Sequence, residues 1–197
     1  MKGSEAIQTL GISMYDNFSI EQEPHFSAYK QVYENFVKKI KGDKNKGLLL
    51  IGKVGVGKTA LMKIMQRLFK DTDSRFKWVQ ANEFKYLFEE YSNNEIMAMY
   101  GRDCSVDLYI DDIGIAGADY KKFGNSINII SEIIYERYDL FLDKGIRTHI
   151  SSNLPIKIDK NKYPNIDTLS DLYGDRITDR LKEMCETLVI KGESLRK

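Results

Sequence analysis

Cysteine is scarce in this chain of 197 residues: only Cys104 and Cys185 occur, far apart and in no C-x-x-C or Cys/His cluster. That argues against a disulfide framework and a zinc site, and two reduced thiols are what a cytoplasmic protein carries. An excess of one charge is also missing, since 30 Lys+Arg stand against 29 Asp+Glu for a net charge of +1. With no global field to hold the chain on DNA or on an anionic membrane, any nucleic-acid contact must be local. No apolar run approaches the roughly 18 residues of a membrane-spanning helix, and the segment Met1 to Leu10 lacks the apolar core of a signal peptide. A cytoplasmic location is therefore expected. Internal repeats and low-complexity tracts are absent.

What is present suits one domain with a sizeable core, at 42% hydrophobic composition. Its organising stretch is Leu48 to Ala60, where an apolar strand Leu48–Ile51 runs into a loop of pattern G-x-x-x-x-G-K-[ST] and then into helical apolar spacing. Gly52, Gly55 and Gly57 permit backbone angles that let successive N–H groups turn inward around an anion at the positive end of the next helix. Lys58 supplies a point charge for the β- and γ-phosphates and Thr59 a hydroxyl ligand for Mg²⁺. The expected nucleotide-binding residues are Gly52, Lys53, Val54, Gly55, Val56, Gly57, Lys58, Thr59 and Ala60.

Around this loop the chain alternates helix and strand. Residues 1–25 read as an irregular arm, anchored by Tyr15, Phe18 and Ile20, and 26–197 as the domain. Apolar positions Phe26, Tyr29, Tyr33, Phe36, Val37 and Ile40 predict an amphipathic helix ending near Gly42, trailed by a basic run from Lys38 to Lys46 that reads as a solvated helix end. A helix through Phe69 follows the loop, then a strand over Phe76–Gln80, a helix capped by Asn82 and a short Met-rich piece from Ile96 to Tyr100. Val106–Ile110 predicts the next strand. A loop with Lys121 and Lys122 leads to a long helix capped by Asn125, and then come a strand over Ile146–Ser152, a helix over Leu172–Met184 and a strand over Thr187–Ile190. This alternation points to an α/β fold, a parallel sheet with helices on both faces, whose ligands sit at the carboxyl ends of the strands.

Three further groups of residues carry chemistry. The strand Val106–Ile110 delivers Asp111 and Asp112, the first expected to hold Mg²⁺ with Thr59 and the second to orient the water that attacks the γ-phosphate. Asn153, after Thr148-His149-Ile150-Ser151-Ser152, offers a neutral amide to the γ-phosphate and the lytic water, while His149 reads as a packed strand residue. Arg176 and Arg180 lie four apart on one helical face, and Arg176 is the candidate to reach the phosphates held by a neighbouring subunit. A nucleoside triphosphatase is the class these residues define. A small-molecule kinase would give no reason for Asn153 or for the segment from Asp175 to Leu181.

Gly-Lys-Val-Gly-Val-Gly-Lys-Thr, Leu-Tyr-Ile-Asp-Asp-Ile-Gly, Ser-Ser-Asn-Leu, Gly-Asp-Arg-Ile-Thr-Asp-Arg-Leu and Ile-Lys-Gly-Glu-Ser-Leu-Arg, in this order, resemble the AAA+ ATPases of the DnaC type, the group of helicase loaders and IstB-type transposition helpers. The resemblance covers about Phe26 to Lys197 and implies a three-layer P-loop NTPase with a five-stranded parallel AAA+ core. By the same likeness, Lys58 and Thr59 are the Walker A pair, Asp111 and Asp112 the Walker B pair, Asn153 the first sensor and Arg176 a finger acting in trans. ATP and Mg²⁺, a homo-oligomer, single-stranded DNA and a replicative helicase are the implied cofactors and partners, with a transposase as the alternative client and a scaffold of little hydrolysis as the alternative activity. The short N-terminal arm departs from loaders that carry a helicase-docking module, and the few residues after Ile190 leave no room for a C-terminal helical lid. Slow turnover by an isolated subunit is the expectation. Arg180 and Arg196 receive no role from the sequence.

Overall fold

The computed structural model describes residues 3–15, 25–43, 45–114, 120–122 and 125–194. Its elements run α1 (Gly3–Met14), α2 (His25–Ile40), β1 (Gly47–Ile51), α3 (Lys58–Phe69), β2 (Phe76–Gln80), α4 (Glu83–Glu90), α5 (Asn93–Tyr100), β3 (Asp107–Ile113), β4 (Tyr120–Lys122), β5 (Asn125–Ile127), α6 (Ile129–Lys144), β6 (Thr148–Ser152), α7 (Leu169–Met184) and β7 (Cys185–Val189). Five strands form one parallel sheet in the order β2-β3-β6-β1-β7, and β4 pairs with β5 as a separate antiparallel hairpin.

The apolar run of β1 explains why it lies inside. Successive side chains point to opposite faces of a strand, so Leu48 and Leu50 enter one core while Leu49 enters the other. The first core joins the sheet to α1, α2 and α3 through Ile7, Tyr29, Val32, Phe36, Leu61 and Met65. The second joins it to α4, α5, α6 and α7 through Phe84, Ile96, Ile130, Ile134, Ile177 and Leu181. Three layers result, with the carboxyl ends of β1, β3 and β6 side by side.

Several local expectations are corrected. The N-terminal segment is not irregular: Gly3–Met14 is helical, with Ile7 buried and Leu10 and Met14 packed on the first core. Phe18, Ile20 and Arg196 lie outside the described residues. Asn82 stands at the start of α4 with helical angles and no side-chain cap, whereas Ser92 caps α5 in a reciprocal capping box with Glu95. Asn128, not Asn125, caps α6 by accepting from the Ser131 N–H, because Asn125 belongs to the hairpin. The last helix begins at Leu169 and breaks at Gly174, whose φ of 80° admits only glycine comfortably.

The amino ends of β3 and β6 are tied by a buried ionic knot that local sequence patterns do not announce. Arg147 pairs with Asp107 at 2.8 Å, and Lys39 from α2 reaches the same carboxylate at 2.7 Å, so Lys39 is not part of a solvated basic run. Arg137 donates to Thr148 Oγ1 at 2.9 Å and to the Arg147 carbonyl at 2.7 Å. His149 is fully buried and stacked on Phe36 at 4.8 Å, the packed strand residue expected. Burial first, then the charges of Arg147, Lys39 and Arg137, hold its pKa well below the usual imidazole value.

Candidate functional site

At the carboxyl end of β1 the chain enters Gly52–Gly57. Gly55 and Gly57 have φ of 86° and 91°, and Gly57 precedes α3 without any side-chain cap, so the first N–H groups of α3 face the loop. Val54 projects into solvent while Val56 is buried, so the second valine anchors the loop on the first core. Lys58 is 6% exposed; its Nζ donates to the carbonyls of Gly52 at 2.7 Å and Lys53 at 3.1 Å and to Asn153 Oδ1 at 2.6 Å.

The tip of β3 comes to the same place through a bulge. Ile110 pairs with Ile150, but Ile113 pairs with Ser152, so three steps along β3 match two along β6. Asp112, inside this bulge, takes φ 66° and is the only non-glycine residue with positive φ among those described. A sparsely populated angle at a non-glycine residue persists only where neighbours hold it. Ser151 does so: its Oγ accepts from the Asp112 N–H at 2.8 Å while donating to Asp111 Oδ1 at 2.6 Å.

Asp111 is buried and receives three hydroxyls. Besides Ser151, Thr59 donates to it at 3.0 Å and Tyr109 at 2.6 Å. Burial foremost, then the Asp111 charge, raises the Tyr109 pKa well above the ordinary phenol value, so Tyr109 stays a donor. Asp112 Oδ1 in turn accepts from Asn153 Nδ2 at 2.9 Å. A continuous polar chain therefore runs from Lys58 through Asn153 to Asp112, beside a second from Thr59 through Asp111 to Ser151 and Tyr109.

The structure brings Lys58, Thr59, Asp111, Asp112 and Asn153 together. Arg176 is not brought to them: it is exposed on the part of α7 beyond Gly174, and among the described residues it makes no ion pair. Arg180 is held by its own chain, its guanidinium 4.1 Å from the Tyr135 ring centroid and 5.2 Å from that of Tyr138. Tyr109 and Ser151 were not singled out from the sequence. Tyr109 had a readable signal, since it lies two residues before Asp111 and so shares its face of the strand.

The donor set suits Mg²⁺ with a polyphosphate. One hydroxyl and one carboxylate lie in contact, and among the described residues no group of three His, Cys, Asp or Glu could hold a metal without further ligands. Mg²⁺ is commonly bound in this way, by one or two protein oxygens together with phosphates and water.

No protein-family model and no curated protein sequence matches the chain. Solved structures do share its fold. A DnaI structure superposes with a TM-score of 0.62 at 19% identity over 92% of this chain and 89% of that one. A DnaC helicase loader gives 0.59 at 19% identity over 89% and 95%. AMPPCP-bound DnaA from Aquifex aeolicus gives 0.59 at 18% identity over 85% of this chain, which spans about half of DnaA's length at 47%. At these identities the likeness is one of fold. The five-stranded α/β architecture expected from the sequence is the one found, the AAA+ P-loop fold.

Proposed function

We propose that this chain is an ATP-binding and ATP-hydrolysing AAA+ protein of the DnaC type, which assembles on ATP and acts on a replicative helicase and single-stranded DNA in DNA replication. The observation that carries the reading is the convergence of Lys58, Asn153 and Asp112 in one hydrogen-bonded chain beside the Thr59–Asp111 pair, at the mouth of a glycine loop. The shared fold with a DnaC helicase loader supports it.

In this reading the loop N–H groups and the positive end of α3 hold the phosphates, and Lys58 exchanges its loop carbonyls for the β- and γ-oxygens. Thr59 and Asp111 would hold Mg²⁺, which when bound neutralises charge on the phosphates. Asp112 orients and polarises the attacking water. Asn153 fixes the Asp112 carboxylate and offers its amide to the same phosphate without adding charge. Arg176, exposed and free of ion pairs within the described residues, acts on the nucleotide of an adjacent subunit.

Single-turnover ATP hydrolysis by the purified chain, with and without single-stranded DNA, tests the activity. Mixing Lys58→Ala with Arg176→Ala tests the action across subunits: each variant alone should be inactive, and the mixture should regain part of the native rate. A mixture that stays inactive while both variants assemble would refute the trans role. The client is read by co-purification from the native cell, a helicase supporting loading and a transposase the transposition reading.

A further inference from the structure

After β7 the backbone continues along β1 for one more bond, from the Ile190 N–H to the Ile51 carbonyl at 2.7 Å, which leaves it beside the start of the phosphate loop. Gly192 then takes φ 140°, outside the range that residues with a Cβ usually adopt, and the chain comes back over the loop. Ser194 ends against Gly55: a Cβ built on Gly55 would stand 2.8 Å from Ser194 Cβ and 3.2 Å from its Cα. Gly52 meets the same segment, since a Cβ there would lie 2.5 Å from the Ile190 carbonyl oxygen. Two of the loop's glycines are thus closed on one side by the C-terminal segment, while Glu193 and Ser194 keep solvent on their other side.

We propose that residues Ile190–Ser194 form a strap seated on the phosphate loop, with Ser194 a positioning residue for the triphosphate, so that filling the loop and seating the strap are one coupled equilibrium. The proposal rests on the nucleotide-binding reading above. The N–H groups that would surround the phosphates belong to the backbone on which Ser194 lies, so a loop ordered by an anion offers the strap a fixed seat. Coupling of this kind is reciprocal: a partner that gripped the strap would change nucleotide affinity by the factor with which nucleotide changes the partner's.

Both native cysteines are buried, so Glu193→Cys in the otherwise native chain can be labelled selectively with an environment-sensitive fluorophore. Titration with AMPPCP and Mg²⁺ should change its emission with the midpoint found by calorimetry on the unlabelled chain. The change should vanish in the Lys58→Ala background. Ser194→Ala and Gly192→Ala should each weaken AMPPCP binding by about three- to tenfold, the scale of one hydrogen bond or a modest backbone penalty. Melting curves establish that the variants fold, and the labelled chain provides a test independent of them. Calorimetric binding with a silent label and unaltered affinity in folded variants would overturn the strap alone. Absence of binding by the native chain would overturn both the strap and the reading beneath it.

Discussion

Replacing Ser151 by alanine tests a hydroxyl that touches both Asp111 and Asp112. Ser151 Oγ donates to Asp111 Oδ1 at 2.6 Å and accepts from the Asp112 N–H at 2.8 Å, so one atom joins the two carboxylate residues. A hydrogen bond to a charged group contributes about 1.5–3 kcal/mol, and a buried donor left unpaired costs about 1–3 kcal/mol. Asp111 keeps Tyr109 and Thr59, which offsets part of the first loss, so Ser151→Ala should destabilise the fold by about 3 kcal/mol. At a urea dependence of roughly 2 kcal/mol per molar, the unfolding midpoint falls by about 1.5 M. Hydrolysis should suffer separately, because Asp112 is held at φ 66° by that hydroxyl and relaxes from its aim once released. A loss of at least tenfold in single-turnover rate, about 1.4 kcal/mol in the barrier, is expected, with nucleotide affinity changed much less. Ser152→Ala is the control. It removes the bonds to the Ile113 carbonyl and from the Leu154 N–H, so it should cost stability without comparable slowing. A folded Ser151→Ala protein that turns over within twofold of the native rate, or a Ser152→Ala protein slowed as much, would refute the reasoning.

Lys58→Ala should abolish ATP binding in calorimetry, because it removes the charge at the loop's mouth; unchanged affinity would contradict the loop assignment. Asp112→Asn should bind nucleotide normally and hydrolyse more slowly by about a hundredfold or more in a single-turnover assay, the usual scale for a lost water-orienting or general-base group. Asp107→Ala leaves Arg147 buried without its carboxylate and should destabilise the protein by about 3–5 kcal/mol in denaturant unfolding. His149 has a depressed folded pKa, so below its ordinary value near 6.5 the unfolded chain takes up a proton that the folded chain does not. Stability should then fall with pH at up to about 1.4 kcal/mol per unit, and His149→Phe should flatten melting temperature against pH over that acid limb.

The strand, glycine loop and helix from β1 to α3 were legible because everything that defines them is local: glycines at fixed offsets, a strand before and a helix after. The place of Asp111 on β3, against Thr59, was legible for the same reason. The bulge that holds Asp112 was not, because it exists only in the register between β3 and β6, two strands some forty residues apart. Lys39 looked like an ordinary helix-end lysine because its partner Asp107 lies 68 residues away. By contrast α1 carries a local signal, Ile7, Leu10 and Met14 at spacings of three and four residues, diluted by the two glycines in Gly3–Met14. Asn125 and Asn128 compete for one cap, and only the hairpin decides between them.

The junction of α7 with β7 has a mechanical meaning. Met184 ends the helix and Cys185 begins the strand, with no residue between them to act as a swivel. The helix is broken at Gly174, so its second half belongs to the strand that follows more than to the turn before it. β7 lies alongside β1 from Gly47–Cys185 to Ile51–Val189, and β1 leads directly into Gly52. A body that took hold of Arg176 would therefore pull on a stiff lever whose far arm is hydrogen-bonded to the strand that carries the glycine turn.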